Sequence, residues 1–439
     1  MPQTKIIVLD DDPTGSQTVH SCLLLTRWDK DTLRTALMDA APLFFVLTNT
    51  RGMDAAQATE ITRAVSRHLK AVLNELALAD IRTNPIFVSR SDSTLRGHYP
   101  VETDVIAEEL GPFDAHFLVP AFFEGGRITR DSVHYLLVDD KPVPVHETEF
   151  ARDSVFGYRH SYLPDYVEEK THGGIAATSV QRFLLDAVRG DCLDRLLQLQ
   201  GNVCCVVDAE CQSDLDNFCR QLHAATAQGK RFLFRSAASL LTSLAGLGPQ
   251  PVVAAGMRQT VRAGRPGAVI VGSHVKKTTQ QLEQLLKQPG AVALEVELDR
   301  IDREGPALLT QLLAAASKAH AGGLTPVIYT SRTEKIFADP KTRLEFGEQI
   351  STFLMQVVRG LPPTLGFLIS KGGITSNDVL STGLALKTAR VLGQILPGCS
   401  VVRCPQDHPR YPDMPVVIFP GNVGDENALA TAYRRLSEQ

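Results

Sequence analysis

A chain of 439 residues exceeds what one hydrophobic core serves, and a composition of 44% hydrophobic and 21% charged residues supplies two cores while excluding a disordered chain. The 45 basic and 49 acidic residues give a net charge of -4 with no long run of either sign, which argues against nucleic-acid and membrane partners and leaves a small molecule as the expected one. No stretch reaches the roughly 18 apolar residues of a membrane span, the N-terminal MPQTKIIVLD lacks the regions of a signal peptide, and the eight cysteines contain no CxxC pair, so reduced thiols and a cytoplasmic location are expected.

The first half repeats one pattern, a short apolar run, a polar loop and a helical segment. Ile6 to Leu9 leads into Asp10-Asp11-Asp12-Pro13-Thr14-Gly15, and Leu43 to Leu47 into Thr48-Asn49-Thr50-Arg51. Ile61, Val65, Leu69, Val72 and Leu76 recur at three- and four-residue intervals and predict a helix with one buried face, capped by Asp54. Ile86 to Val88 opens onto Ser89 to Gly97, and Phe117 to Val119 onto Pro120 to Arg127. Residues 130–175, with Pro142, Pro144 and Pro164 among aromatic and charged residues, read as an insertion or long functional loop. Val203 to Asp208 and Phe232 to Phe234 restore strands. Continuous apolar runs alternating with helices predict strands covered on both faces.

A Gly/Pro-rich stretch follows, and the pattern then restarts. The expected organisation is an N-terminal domain over 1–248, a linker over 249–267 and a C-terminal domain over 268–439. Each domain is an α/β fold with a mainly parallel sheet flanked by helices, and the active site is expected in the cleft between them. In the second half Ala268 to Val271 precedes Gly272-Ser273-His274, the alternation of Val292, Leu294, Val296 and Leu298 predicts a strand, and Pro326 to Tyr329 precedes Thr330-Ser331-Arg332. Phe367 to Ile369 precedes Lys371-Gly372-Gly373-Ile374-Thr375, and Val416 to Phe419 precedes Pro420-Gly421-Asn422-Val423-Gly424. Val379, Leu384, Val391 and Ile395 predict one helix after the first of these loops, with Thr375 and Asp378 at capping-box spacing.

Glycines where a strand gives way to a helix let an anion approach free backbone N–H groups. One such junction is as readily an ordinary capped turn; three in one domain suggest a polyphosphate site, with Lys371 or Lys276 able to supply a point charge. No GxxxxGK[ST] and no protein-kinase motif set occurs. In the first domain, Asp10, Asp11 and Asp12 end a strand, where like charges become tolerable beside a cation, a basic partner or a bound substrate. Asp92, Arg96 and Arg127 lie on neighbouring strand-end loops, as do Thr14, Arg51 and Arg90. Carboxylates accept from sugar hydroxyls or hold magnesium, and a guanidinium grips a carboxylate in bidentate fashion. The histidines lack HxxxH and HExxH spacing, so no histidine-built metal site is expected and metal ligands stay unassigned.

Five stretches, Asp11 to Gly15, Asp92 to Gly97, Pro120-Ala121-Phe122 with Gly125-Gly126-Arg127, Gly372 to Ser376, and Phe419 to Gly424, resemble in order the motifs of the four-carbon acid sugar kinases, a family formerly catalogued as a domain of unknown function. The resemblance implies a sugar-acid-binding N-terminal domain, an ATP-binding C-terminal domain, Mg2+ as companion of ATP, and transfer to a hydroxyl of an acid such as threonate, erythronate or 3-oxo-tetronate. It implies Asp12, Asp92, Arg96 and Arg127 lining the substrate side and Ser273, Gly372, Gly373, Ile374, Thr375 and Gly421 touching the nucleotide. Asp12 and Asp92 are expected as the catalytic residues, Asp11, Thr14, Arg51 and Arg90 join the expected substrate set, and Asn422 and Gly424 the expected nucleotide set. Asp12 serves equally as base, magnesium ligand or hydroxyl acceptor. A homodimer is compatible with this expectation. Two rivals stand beside it: a haloacid-dehalogenase-like phosphatase using Asp10 as nucleophile and Asp12 as acid/base, since Ile6 to Thr14 also fits an apolar strand ending in DxDxT, and a non-catalytic nucleotide-sensing module.

Overall fold

The computed structural model describes residues 3–273, 275–332, 340–421 and 423–437. The chain divides into two compact units, residues 1–249 and 250–439.

In the first unit β1 (Gln3–Asp10), β2 (Leu23–Leu25), β3 (Leu43–Leu47), β4 (Thr83–Arg90) and β5 (Ala115–Val119) precede a small antiparallel sheet of β6 (Arg127–Arg130), β7 (Val133–Val138) and β8 (Lys141–Pro144), and β9 (Gln181–Phe183), β10 (Val203–Val207) and β11 (Phe232–Ser236) follow. The main sheet runs β2-β3-β1-β4-β11-β5-β10-β9, with every neighbouring pair parallel. Ile6 to Leu9 and Leu43 to Leu47 are buried along their whole length, as strands covered on both faces require.

The helix Ala55–Leu78 starts on a capping box between Asp54 and Gln57 and buries Val65, Leu69, Val72 and Leu76 against Ile7, Phe44 and Val46. Each such side chain contributes about 1.5–3 kcal/mol of burial. Lys5 enters this core fully covered, its Nζ donating to the carbonyls of Asp39 (2.5 Å) and Ala41 (2.6 Å). Those carbonyls follow the helix Lys30–Met38, whose negative dipole end accommodates the ammonium.

Residues 130–175 are more regular than expected. Asp131-Ser132 joins β6 to β7 and Asp139-Asp140 joins β7 to β8, all four at positive φ (52°, 64°, 50° and 61°). These are tight hairpin turns made without the Asn-Gly or Asp-Gly pair that signals them in sequence.

In the second unit β12 (Ala268–Val271), β13 (Ala291–Val296), β14 (Thr325–Thr330), β15 (Leu368–Lys371), β16 (Thr388–Leu396), β17 (Cys399–Arg403) and β18 (Pro415–Phe419) order as β13-β14-β12-β15-β18-β17-β16. The run from β13 to β18 is parallel, and β17 is antiparallel to β18 and β16. The helix expected through Val391 and Ile395 does not form. Residues 373–378 make a short α-helix, 379–383 a π turn, and 388–396 the strand β16 with strictly alternating burial. A four-residue spacing fits a period of two as well as a period near 3.6, and here the first prevails.

Among the described residues no helix is long and apolar enough to cross a membrane. Cys211 is exposed and the remaining cysteines are buried, all as free thiols.

Candidate functional site

In parallel sheets the loops at the carboxyl ends of the strands carry ligands. Since β3, β1 and β4 are neighbours, the Thr48–Arg51, Asp10–Thr14 and Arg90–Gly97 loops lie side by side, and β11 and β5 bring Ser236 and the Pro120–Arg127 loop to the same end.

The three adjacent carboxylates have three different environments. Asp10 is 0% exposed. Its Oδ1 lies 3.3 Å from Arg90 Nη1, and its Oδ2 is buried without a hydrogen-bond partner. Burial pushes its pKa up to about 8; Arg90 opposes this, and the charges of Asp11 and Asp12 add to it. A Cβ on Gly15 would stand 1.9 Å from Asp10 Oδ2, so glycine there seals the carboxyl in. A nucleophile must reach its substrate, and this enclosure removes Asp10 from the phosphatase role.

Asp11 accepts a bidentate grip from Arg51, at 2.5 Å from Nη2 and 3.1 Å from Nε, and a further bond from Ser91 Oγ at 2.9 Å. It is committed to the scaffold. Asp12, 22% exposed, accepts the Thr14 backbone N–H at 2.8 Å and the Thr14 hydroxyl at 2.5 Å, and stands 3.4 Å from Arg51 Nη1. Burial alone would raise its pKa, but Arg51, Arg90 and the two Thr14 bonds hold it low.

Asp92, 13% exposed, pairs with Arg96 Nε at 2.8 Å, accepts the Thr94 hydroxyl, and lies 3.9 Å from Arg51. Against the burial that would raise it, Arg51 and Arg96 hold it well below the carboxylate range. Arg96 continues over the Phe150 ring at 5.0 Å and reaches Asp153 at 3.7 Å.

Arg127 differs from these arginines. Its guanidinium lies 6.0 Å from the ring centroids of both Phe122 and Phe150, one nitrogen donates to the Gly125 carbonyl, and Nε is buried without a partner. It makes no ion pair among the described residues, and burial lowers its pKa. A partly desolvated cation with spare donors and no carboxylate is chemically suited to an anion.

The sequence had not singled out Arg235, Ser91 or Phe150. Arg235 is buried in β11 and donates to Ser89 Oγ and Ser91 Oγ, each at 2.7 Å, and to Glu102. A lone arginine in the apolar run FLFRS was the available signal. Gly97, at φ +119°, leaves room for this network, since a Cβ would fall 2.4 Å from Ser91 Oγ and 2.7 Å from Arg235 Nη2.

In the second unit β14, β12, β15 and β18 are neighbours, so their terminal loops adjoin. Gly372, at φ +116°, packs so that a Cβ would sit 3.3 Å from both Ser273 Cβ and Thr375 Oγ1, and one on Gly272 would meet Thr375 Oγ1 at 2.3 Å. Thr278 Oγ1 bridges Ser273 Oγ and the Gly421 carbonyl at 3.4 Å each. Ser273, Gly372, Thr375 and Gly421 are thus brought together. Gly373 is half-buried, and Ile374 stands 79% exposed beside it.

Gly424 is placed differently. At φ +79°, with a Cβ position 2.3 Å from that of Ala428, it turns the chain toward the helix Ala428–Ser437. Asn422 and His274 lie outside the described residues. The capping box of Thr375 and Asp378 does not form: Gly372 is the N-cap, and Asp378, at the helix end, accepts from Ser351.

Lys371 is no surface point charge. Fully buried, it donates to the carbonyls of Pro420 (2.6 Å) and Gly421 (3.1 Å), lies 4.3 Å from the Phe419 ring centroid, and has its pKa lowered by burial to about 7. Arg332 reaches the same region, Nη1 donating to the Ser273 carbonyl at 2.7 Å, and was likewise unassigned from sequence.

Residues 6–244 match the model of a sugar-binding N-terminal domain and residues 268–429 that of a nucleotide-binding C-terminal domain. A D-erythronate kinase of Heliobacterium modesticaldum is 27% identical over 287 residues, 64% of this chain and 60% of that protein, so the chain spans about 60% of the length of this curated relative. Two crystal structures share the fold, each at 18% identity. One is a Salmonella typhimurium LT2 protein provisionally named a tRNA synthase, with TM-score 0.70 over 99% of both chains. The other is a Haemophilus influenzae protein of a family of unknown function, with TM-score 0.63 over 98% of this chain and 100% of that one. Two α/β units carrying the sugar-binding and nucleotide-binding domains in order, with an enclosed carboxylate cluster in the first and converging glycine turns in the second, identify the chain as a member of the four-carbon acid sugar kinase family.

Proposed function

We propose that this chain is an ATP-dependent kinase that phosphorylates a hydroxyl, the terminal 4-OH in our reading, of a four-carbon sugar acid such as erythronate, threonate or 3-oxo-tetronate. The observation that carries the proposal is the placing of Arg127, a cation with no carboxylate partner, near Asp92 in a unit whose partly exposed carboxylates Asp12 and Asp92 stay ionised. An acid with several hydroxyls needs both kinds of group: Arg127, with Arg96, takes the carboxylate, while Asp12 and Asp92 accept from hydroxyls. Thr14 holds Asp12, Arg51 stands beside both, and Asp11 and Arg90 act behind them, Asp11 by gripping Arg51 and Arg90 by pairing with Asp10 and Asp11. The name of the Heliobacterium relative supports the four-carbon class.

The second unit fits ATP on its own geometry. Gly372, at positive φ and backed by Ser273 and Thr375, offers close backbone approach, and Gly421 stands beside them through Thr278. Ser273, Gly372, Gly373, Ile374, Thr375 and Gly421 would hold the nucleotide, with Arg332 as an added cation; Gly424 belongs to the turn beyond. Bound ATP supplies the phosphoryl group, and Mg2+ neutralises charge on it. Among the described residues no group of three or more His, Cys, Asp or Glu side chains could hold a metal ion. Magnesium that accompanies a nucleotide is carried mainly by its phosphates with one or two carboxylates. Transfer then depends on positioning and charge neutralisation, and Asp12 or Asp92 orients the acceptor hydroxyl. The free thiols suit a reducing compartment such as the cytoplasm.

A coupled ADP assay across erythronate, threonate and 3-oxo-tetronate isomers tests the proposal. ADP should form only when an acid is present. Phosphate release from simple esters without ATP, or ATP binding with no turnover on any acid, would refute it.

A further inference from the structure

The loop from Asp92 to Gly97 carries two of the proposed acid-binding groups, yet it belongs to no helix or strand. Three consecutive carbonyls in it are each capped by a buried side chain from the region that sequence left irregular. The Ser93 carbonyl accepts from His134 Nε2 at 2.8 Å, the Thr94 carbonyl from the Tyr158 hydroxyl at 2.7 Å, and the Leu95 carbonyl from the Tyr166 hydroxyl at 2.8 Å. The Arg96 carbonyl lies 2.8 Å from Ser91 Oγ, whose single proton Asp11 also competes for.

The donors come from three different places: His134 from β7, Tyr158 from the segment after it, and Tyr166 from the helix Leu163–Lys170. All three are buried. Since a carbonyl only accepts, His134 carries its proton on Nε2, which leaves Nδ1 to accept the Thr129 hydroxyl at 2.9 Å. The two tyrosine rings meet edge to face at 5.7 Å and pack with Leu95 in one core.

A peptide unit is planar, so holding its oxygen holds its plane. Three planes restrained in succession restrict the backbone from Ser93 to Arg96, including Leu95 at φ +67°, a conformation that costs about 1–2 kcal/mol when nothing offsets it. Tyr166 bonds to the carbonyl of that same residue. His134 also ties the loop to the hairpin that begins with Arg127. The geometry points to His134, Tyr158 and Tyr166 as positioning residues for the sugar-acid site, which lock the Asp92–Gly97 loop and Arg127 into one arrangement. None needs to touch substrate. The assignment rests on the proposed role of Asp92, Arg96 and Arg127 in holding the acid.

The test uses Tyr158→Phe, Tyr166→Phe and the pair His134→Leu and His134→Gln in the full chain. Phenylalanine keeps the packing and removes one donor, and glutamine keeps an N–H where leucine has none. KM for the sugar acid should rise about five- to tenfold with each tyrosine substitution and with His134→Leu, as the loss of one buried hydrogen bond predicts. Meanwhile KM for ATP should stay unchanged, and His134→Gln should recover most of the loss. Amide exchange of peptides covering residues 92–97 in the ligand-free protein should quicken in the same variants. A merely structural role would lower kcat through loss of active protein and leave both KM values alone, and that result overturns the assignment, as does wild-type exchange in this loop. If the wild-type chain turns over no four-carbon acid, the kinase proposal fails, and exchange alone decides the role of the three residues.

Discussion

Replacing Arg51 with methionine should destabilise the first unit by about 3 kcal/mol, the low end of what removing one partner from a buried ion pair costs. The arginine makes two charge-assisted bonds to Asp11, which is 1% exposed, and lies 3.4 Å from Asp12 and 3.9 Å from Asp92. Without it Asp11 keeps Ser91 Oγ and a 3.8 Å approach from Arg90. The longer pairs are partly screened, so most of the loss comes from the bidentate grip. Trp28, the single tryptophan, packs against the core of the first unit and reports its unfolding in urea by fluorescence. With an m-value of about 3 kcal/mol/M the midpoint should fall by about 1 M at pH 7. The penalty should shrink on acidification. Arg51 depresses the Asp12 and Asp92 pKa values in the folded state, so its stabilisation is present above the unfolded value of about 3.9 and is lost as pH falls below it. A midpoint shift under about 0.3 M at pH 7, or one independent of pH down to 3, would refute the reasoning.

Asp10 should behave in the opposite sense. With its folded pKa raised to about 8, it contributes stability below about pH 4 that drains away as pH rises toward 8, so Asp10→Asn should flatten the decline of urea midpoint between pH 5 and 8; an unchanged slope would contradict the burial account. Arg127→Lys keeps the charge but loses the planar fork, and KM for the acid should rise about tenfold with KM for ATP unaltered, whereas normal acid affinity would remove Arg127 from the site. Gly372→Ala places a side chain at φ +116° against Ser273 and Thr375, so nucleotide affinity measured by calorimetry should fall at least about tenfold, allowing for about 1–2 kcal/mol of backbone strain; unchanged affinity would count against this turn as the phosphate site.

Much of the fold is legible in the sequence because a fully covered parallel strand is a continuous apolar run. Leu43 to Leu47 and Ala268 to Val271 coincide with β3 and β12 residue for residue, and Asp54 caps its helix as expected. What escapes is whatever depends on partners far along the chain. Asp10, Asp11 and Asp12 are three identical letters with three different fates, decided by Gly15 with Arg90, by Arg51 with Ser91, and by Thr14. The insertion of β11 between β4 and β5, which delivers Arg235 beneath the loop, is a crossover that no local pattern encodes. Lys371 reads as a solvated charge until the end of β18 supplies the Phe419 ring and the loop after it the Pro420 and Gly421 carbonyls that enclose it. The hairpins at Asp131-Ser132 and Asp139-Asp140 use aspartate and serine in a left-handed conformation that sequence associates with glycine or asparagine.

The two enclosed lysines have a practical consequence. Lys5 in the first unit and Lys371 in the second are both 0% exposed, with their amines occupied by main-chain oxygens. An acylating reagent therefore meets neither amine until the surrounding unit opens. Pulse labelling during denaturation, read by mass spectrometry at these two positions, would time the opening of each unit separately within one intact chain, and would show which of them a bound acid or nucleotide protects.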